Sequence, residues 1–238
     1  MGLEKTKKKT WAIIPARGGS KGVVRKNIRN FCGDSLLSRA IGCLRDSQCF
    51  EKIIVSSDDA EILDIASKHG AELHFRKKES ESRDHVMTDV PVLSFLEQIS
   101  INERPDFSFM IQCTAPFMKA EKYQKAHSVL LENPNSTVFA AELAHQFLWQ
   151  ESEKNSVSWE PINHPFYERA GRQFIKKIQV HETGAFYGFN TENFINSGFR
   201  FHSKAIPVLT DKLESIDIND ETDWKYAEFI NKEILNEN

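Results

Sequence analysis

Directly behind a short apolar run, the chain reads IPARGGSKGVVRKN from Ile14 to Asn27. Gly18, Gly19 and Gly22 let backbone amides approach a ligand closely, because glycine tolerates positive φ and has no side chain in the way. Arg17, Lys21 and Lys26 add cationic donors, and Ser20 and Asn27 add neutral ones. Amides for shape and cations for charge are what a phosphate chain requires. The loop has neither the Walker spacing GxxxxGKS/T nor the dinucleotide spacing GxGxxG. The plain alternative is a glycine turn carrying solvated cations.

The charge pattern argues against that alternative. Eight of the 31 basic residues fall between positions 6 and 33, and none of the 34 acidic residues does. A solvated face interleaves both signs, so a purely basic segment in a chain of net charge −3 indicates a local anion site. That net charge also argues against general nucleic-acid binding. Four cysteines without a CxxC pair read as small core residues in a reducing cytoplasm. The eight histidines lack zinc-ligand spacing, and no GxSxG elbow is present, so zinc and serine hydrolase chemistry both drop out. No apolar run approaches the roughly 20 residues of a membrane span. The basic start, MGLEKTKKKT, has no apolar stretch behind it, which predicts a soluble chain without a secretory signal.

A loop of this kind needs a rigid frame. The hydrophobic pattern predicts strands over 11–15, 52–56, 71–75, 107–113 and 137–141, and helices over 36–44, 59–70, 89–99 and 119–131. Asp59 is suited to cap the second helix and Gly70 to stop it. Such alternation implies an α/β fold with a parallel, doubly wound sheet and helices on both faces. Ligands of these sheets bind beyond the carboxyl ends of the strands, here the loops after Pro15, Phe75 and Cys113. From about 146 to 180 the rhythm fails. Trp149, Trp159, Phe166 and Tyr167 make that stretch too aromatic for a linker, and it reads as an excursion that packs on something, a second subunit being one candidate. Strands over 184–189 and 205–209 and a helix from 223 close the chain. Residues 1–9 read as a flexible tail and 10–238 as a single domain.

Six segments in order resemble the sialic acid, or nonulosonate, cytidylyltransferases. ARGGSKGVVRKN, from Ala16, is similar to that family's ARxxSKGxxxKN loop. IIVSSDDAEI from Ile53, FRKKE from Phe75, MIQCTAPF from Met110, ETGAFYGF from Glu182 and ESIDINDETDW from Glu214 follow in the family's order. The resemblance implies a mostly parallel, Rossmann-like nucleotidyltransferase sheet, CTP and a nine-carbon 2-keto sugar acid as substrates, Mg2+ as cofactor, and a homodimer joined through the 146–180 excursion.

It also implies roles. The loop from Ala16 through Gly18, Gly19, Ser20, Lys26 and Asn27 would wrap the triphosphate, with Arg17 and Lys21 holding it and offsetting charge on departing pyrophosphate. Arg76 and the Met87-Thr88 region would read the cytosine edge. Gln112, Thr114, Tyr187 and the Arg172-Gln173 pair would meet the sugar, the guanidinium suiting its carboxylate.

Residues 216–219 alternate apolar and polar, so a strand there would turn both isoleucines inward and send Asp217 and Asn219 to the other face. The family usually has two aspartates at these positions, binding magnesium. Here the second is Asn219, an oxygen ligand without charge, so Asp217 is the expected main ligand, helped by Asn219 or Asp220. Phe117-Met118-Lys119 and Thr183 also depart from the family pattern, toward the sugar side. Two alternatives remain at this stage: a cytidylyltransferase for the eight-carbon acid 3-deoxy-manno-octulosonate, and a nucleotide-binding relative that has lost turnover.

Overall fold

A computed structural model describes residues 8–77, 86–144, 146–153, 155–167, 171 and 178–235. The first half runs β1 (Thr10–Pro15), β2 (Asn30–Phe31), β3 (Asp34–Ser35), α1 (Leu36–Ser47), β4 (Lys52–Ser57), α2 (Ala60–Lys68), β5 (Glu72–Phe75) and α3 (Asp89–Gln98). Then come β6 (Phe107–Ile111), α4 (Ala120–Glu132), β7 (Thr137–Leu143), β8 (Trp149–Ser152) and β9 (Asn155–Pro161). The chain continues through β10 (Val180–Asn190), α5 (Thr191–Ser197), β11 (Ala205–Leu209) and α6 (Glu221–Ile230), ending in a π-helical turn.

Seven strands form the central sheet in the order β11-β7-β10-β6-β1-β4-β5. All neighbours are parallel except β10, which runs antiparallel to both β6 and β7. The alternation of β1 shows how the sheet is doubly wound. Ala12 and Ile14 join the core beneath α1, α2 and α4, whereas Trp11 and Ile13 join the one beneath α3 and α5. A strand covered on both faces has no polar side to show, which is why β1 is a continuous apolar run in the sequence.

Helix ends follow the expected signals. Asp59 accepts from the amides of Glu61 and Ile62, and Gly70 takes φ +79° just past the end of α2. The closing helix starts at Glu221, two residues before the expected position. Asp220 is its cap, and Asp223 bonds back to the Asp220 amide in a reciprocal capping box.

The structure alters two expectations, the strand at 216–219 and the core cysteines, and adds elements at two other places. Residues 216–219 are extended loop, with no strand to pair along; the Ile218 amide nonetheless donates to the Thr114 carbonyl at 2.9 Å. The β2–β3 hairpin and α5 carry too few residues to show a period. The 146–180 excursion contains the β8–β9 hairpin, a sheet of its own. Of the cysteines, only Cys113 is buried; Cys32, Cys43 and Cys49 are partly exposed.

A third, smaller core stands outside the main sheet. It gathers Val23 behind the glycine loop, Phe31 of the hairpin, Ile218, and Trp224 and Ala227 of α6. The Arg29 guanidinium lies 4.4 Å over the Trp224 ring, a cation–π contact worth about 0.5–2 kcal/mol, and Phe31 meets the same ring edge-on at 5.4 Å. This cluster ties residues near position 20 to residues near position 220.

Candidate active site

A polar cleft of about 440 Å³ lies outside the carboxyl ends of β1, β5 and β6. The glycine loop supplies Arg17, Ser20, Lys21, Gly22, Lys26 and Asn27 to its wall. Arg76, Val86, Met87, Thr88 and Pro91 line it from the stretch after β5, Thr114 from the loop after β6, and Asn219 from the turn before α6. The loops after Pro15, Phe75 and Cys113 thus converge as doubly wound topology requires. Ala16 is buried under the loop, and Ala16, Gly18 and Gly19 do not line the cleft.

Several donors of the loop bond to the protein itself. Asn27 Nδ2 donates to the Arg17 carbonyl at 3.0 Å, and its Oδ1 accepts from the Cys113 thiol at 3.3 Å. Asn27 therefore latches the bend while also lining the cleft. Lys26 Nζ donates to the Ile218 carbonyl at 2.7 Å, which fastens the glycine loop to the turn bearing Asp217. The Gly18 amide donates to Asp58 Oδ1 at 3.0 Å, so this amide faces a carboxylate instead of the cleft. Arg25 takes φ +56°, an unfavourable value for a residue with a β-carbon, and is held there by ion pairs to Asp59 and Glu61. The Arg25 guanidinium in turn holds the Asp59 carboxyl below the usual carboxylate range. Sequence inspection gave Asp59 only a capping role, because nothing in its local spacing shows a partner 34 residues away.

Asp217 sits at the edge of the cleft with both oxygens oriented. The Thr114 hydroxyl donates to Oδ1, and Asn219 Nδ2 donates to Oδ2 at 2.9 Å. Among the described residues no group of three or more His, Cys, Asp or Glu side chains could hold a metal. A magnesium ion needs no such group, since it takes one or two carboxylates and completes its shell with water and substrate phosphates. One oriented carboxylate beside a cationic phosphate loop fits an ion delivered on a triphosphate. Asn219 presents its amide nitrogen to Asp217, so its oxygen is the atom left for a metal or water.

The sugar-side residues are only partly gathered. Gln112 lies at the end of β6, its Oε1 3.6 Å from where a β-carbon of Gly184 would stand. The Tyr187 ring is buried in the second core, its hydroxyl donates to Glu182, and burial together with that carboxylate pushes the phenol up. Neither lines the cleft. Arg172 and Gln173 lie outside the described residues. Arg200 packs 4.3 Å over the Tyr187 ring and forms a buried fork with Asp89, which fixes the start of α3 next to Met87 and Thr88.

A cationic cleft at the switch point of a doubly wound sheet, with the Asp217 carboxylate held at its edge by Thr114 and Asn219, is the arrangement of a nucleotidyltransferase. The chain belongs to the cytidylyltransferase family, whose model matches residues 11–192. Among its relatives is the pseudaminic acid cytidylyltransferase of Campylobacter jejuni, 29% identical over 94% of this chain and 97% of that one. N-acylneuraminate cytidylyltransferase A of Danio rerio is 32% identical over 91% of this chain but only 49% of its own length. CMP-N,N'-diacetyllegionaminic acid synthase of Legionella pneumophila is 28% identical over 91% of this chain and 94% of that one. Among solved structures, a CMP:2-keto-3-deoxy-manno-octonic acid synthetase complexed with CTP matches with TM-score 0.68 over 93% of this chain and 98% of that one. At 11% identity, that likeness concerns the fold.

Proposed function

We propose that this enzyme transfers CMP from CTP to the anomeric hydroxyl of a nine-carbon 2-keto sugar acid, releasing pyrophosphate. The hydroxyl attacks the α-phosphorus in line with the departing pyrophosphate, a step in which positioning and charge stabilisation do most of the work. Arg17 and Lys21, both in the wall of the cleft, face the phosphates and offset the charge that builds on the leaving group. Arg76, Met87 and Thr88 form the far wall, where the base would lie. Asp217 would be the protein ligand of a bound Mg2+, which would supply Lewis-acid neutralisation of phosphate charge. The observation that carries the proposal is the meeting of the glycine loop and the Asp217 turn, through Lys26 and the Ile218 carbonyl at 2.7 Å.

The relatives named above act on three different nine-carbon acids, while the eight-carbon alternative rests on fold similarity at 11% identity. The nine-carbon class is therefore favoured. The test is pyrophosphate release from CTP and Mg2+ with pseudaminate, N-acetylneuraminate, legionaminate and 3-deoxy-manno-octulosonate as acceptors. Release with a nine-carbon acid supports the reading. CTP binding without release from any acceptor would establish a relative that has lost turnover. Replacing Arg17 and Lys21 with Ala should abolish turnover and weaken CTP binding together.

The working form we propose is a homodimer in the cytoplasm, where CTP is made. No helix among the described residues is long and apolar enough to cross a membrane. Val157, Trp159, Tyr167 and Ile178 leave between 57% and 92% of their surface open on and beside the β8–β9 hairpin. An apolar patch of that kind marks an interaction surface. A monomer by light scattering at working concentration would remove the dimer.

A further inference from the structure

We propose that Ser56 is a positioning residue for base selection, fixing the guanidinium of Arg76, with His74 setting the direction of the Ser56 hydroxyl. The inference rests on the reading that Arg76 faces the cytosine. Ser56 is fully buried and Arg76 nearly so, yet Arg76 lines the cleft. Arg76 Nε donates to Ser56 Oγ at 3.0 Å, and Nη2 donates to the Ser56 carbonyl at 2.8 Å. Two adjacent donors on one edge are therefore held by two oxygens of a single residue. That fork fixes the plane of the guanidinium as a bidentate carboxylate would, without neutralising its charge.

The hydroxyl has its own constraint. A guanidinium only donates, so Ser56 Oγ accepts from Nε and its one hydrogen must go elsewhere. His74 Nδ1, 3.0 Å away, is placed to accept it, with the ring proton then on Nε2. The arrangement follows from register. β4 and β5 are parallel with Ser56 opposite His74, and the two-residue period brings His74 and Arg76 to one face. The Phe95 ring, 4.8 Å from the imidazole, packs against its side. The sequence shows only two serines in a strand and an HxR pair; the pairing of the strands joins them.

Cytosine offers a ring-nitrogen acceptor where uracil carries N–H, so a donor held in one plane favours CTP over UTP. A site built to hydrogen-bond one edge rejects the analogue that lacks it far more strongly than a loose donor does. The measurement is the CTP/UTP ratio of kcat/KM in Arg76→Lys, Ser56→Ala and His74→Leu, with thermal midpoints alongside. Arg76→Lys should collapse the ratio. Ser56→Ala should lower it about tenfold, with kcat at saturating CTP within about twofold of the parent, and His74→Leu about threefold. A purely structural Ser56 would lower the thermal midpoint and leave the ratio alone, and that result overturns the inference. An unchanged ratio in Arg76→Lys removes the base-reading role itself, and the inference falls with it. Should Ser56→Ala fail to fold, His74→Leu decides, since it leaves Ser56 in place; an unchanged ratio there overturns the proposal.

Discussion

A β-carbon placed on Gly22 would stand 2.0 Å from the carbonyl oxygen of Asn219, so the glycine loop and the Asp217 turn meet backbone to backbone. No side chain fits between them. Gly22→Ala must push the two apart, at a cost of about 1–3 kcal/mol for forced overpacking. Because the displaced atoms belong to both halves of the site, turnover should fall more than a hundredfold with a smaller loss of thermal stability. Steady-state rates and a melting curve on the same preparation check this. Parent-like turnover would show that the two segments need not touch.

Asn219→Asp should strengthen Mg2+ activation, because a second carboxylate would stand beside Asp217. The cost is the Asn219 bond to Asp217 Oδ2 at 2.9 Å, which is replaced by like-charge repulsion until the ion binds. The half-saturating Mg2+ concentration should drop several-fold. An unchanged titration would show that position 219 is not a ligand.

Asp217→Asn should cut turnover at saturating Mg2+ by at least about a hundredfold, while CTP affinity measured without metal stays within a few-fold of the parent. Isothermal titration and rate measurements separate the two effects. Equal losses in both would make Asp217 a structural residue of the turn.

The pair of Arg25 and Asp59 predicts an acid limb of stability. The guanidinium lowers the folded-state pKa of Asp59, so the pair's contribution is complete above the ordinary carboxylate range and disappears as pH falls through the lowered value. Asp59→Asn should reduce the thermal midpoint near neutrality and flatten its fall on acidification. Parallel curves for parent and variant would show that the pair adds nothing to stability.

Burial pushes the Cys43 and Cys113 thiols up to about 12. Only the thiolate reacts with alkylating agents, so both should stay unmodified near neutral pH until the chain unfolds. Peptide mapping after iodoacetamide treatment, native and denatured, tests this. Cys113 alkylated in the native state would mean that the latch with Asn27 opens.

The frame of this fold was legible because each part of it is a local signal. β1 and β6 are apolar runs, α2 carries its cap and its stop, and the strand–helix alternation leads to a doubly wound sheet. The cationic loop was legible for the same reason, since its glycines and its acid-free charge lie within one short stretch.

Which atoms of that loop face a ligand was decided elsewhere. Lys26, Asn27 and the Gly18 amide carry the right chemistry for phosphate. One bond of each goes to Ile218, Arg17 and Asp58: the packing of Val23 against Ile218 and Trp224 brings the first near, the bend of the loop the second, and the pairing of β1 with β4 the third. The direction of β10 was hidden too, because strand alternation fixes which face a side chain takes and says nothing of parallel or antiparallel pairing. Local sequence shows the cationic loop and the carboxylate of the site, because both lie within short stretches. The tertiary structure sets how those groups are held, because a hydrogen-bonding group takes whatever partner the long-range packing brings to it.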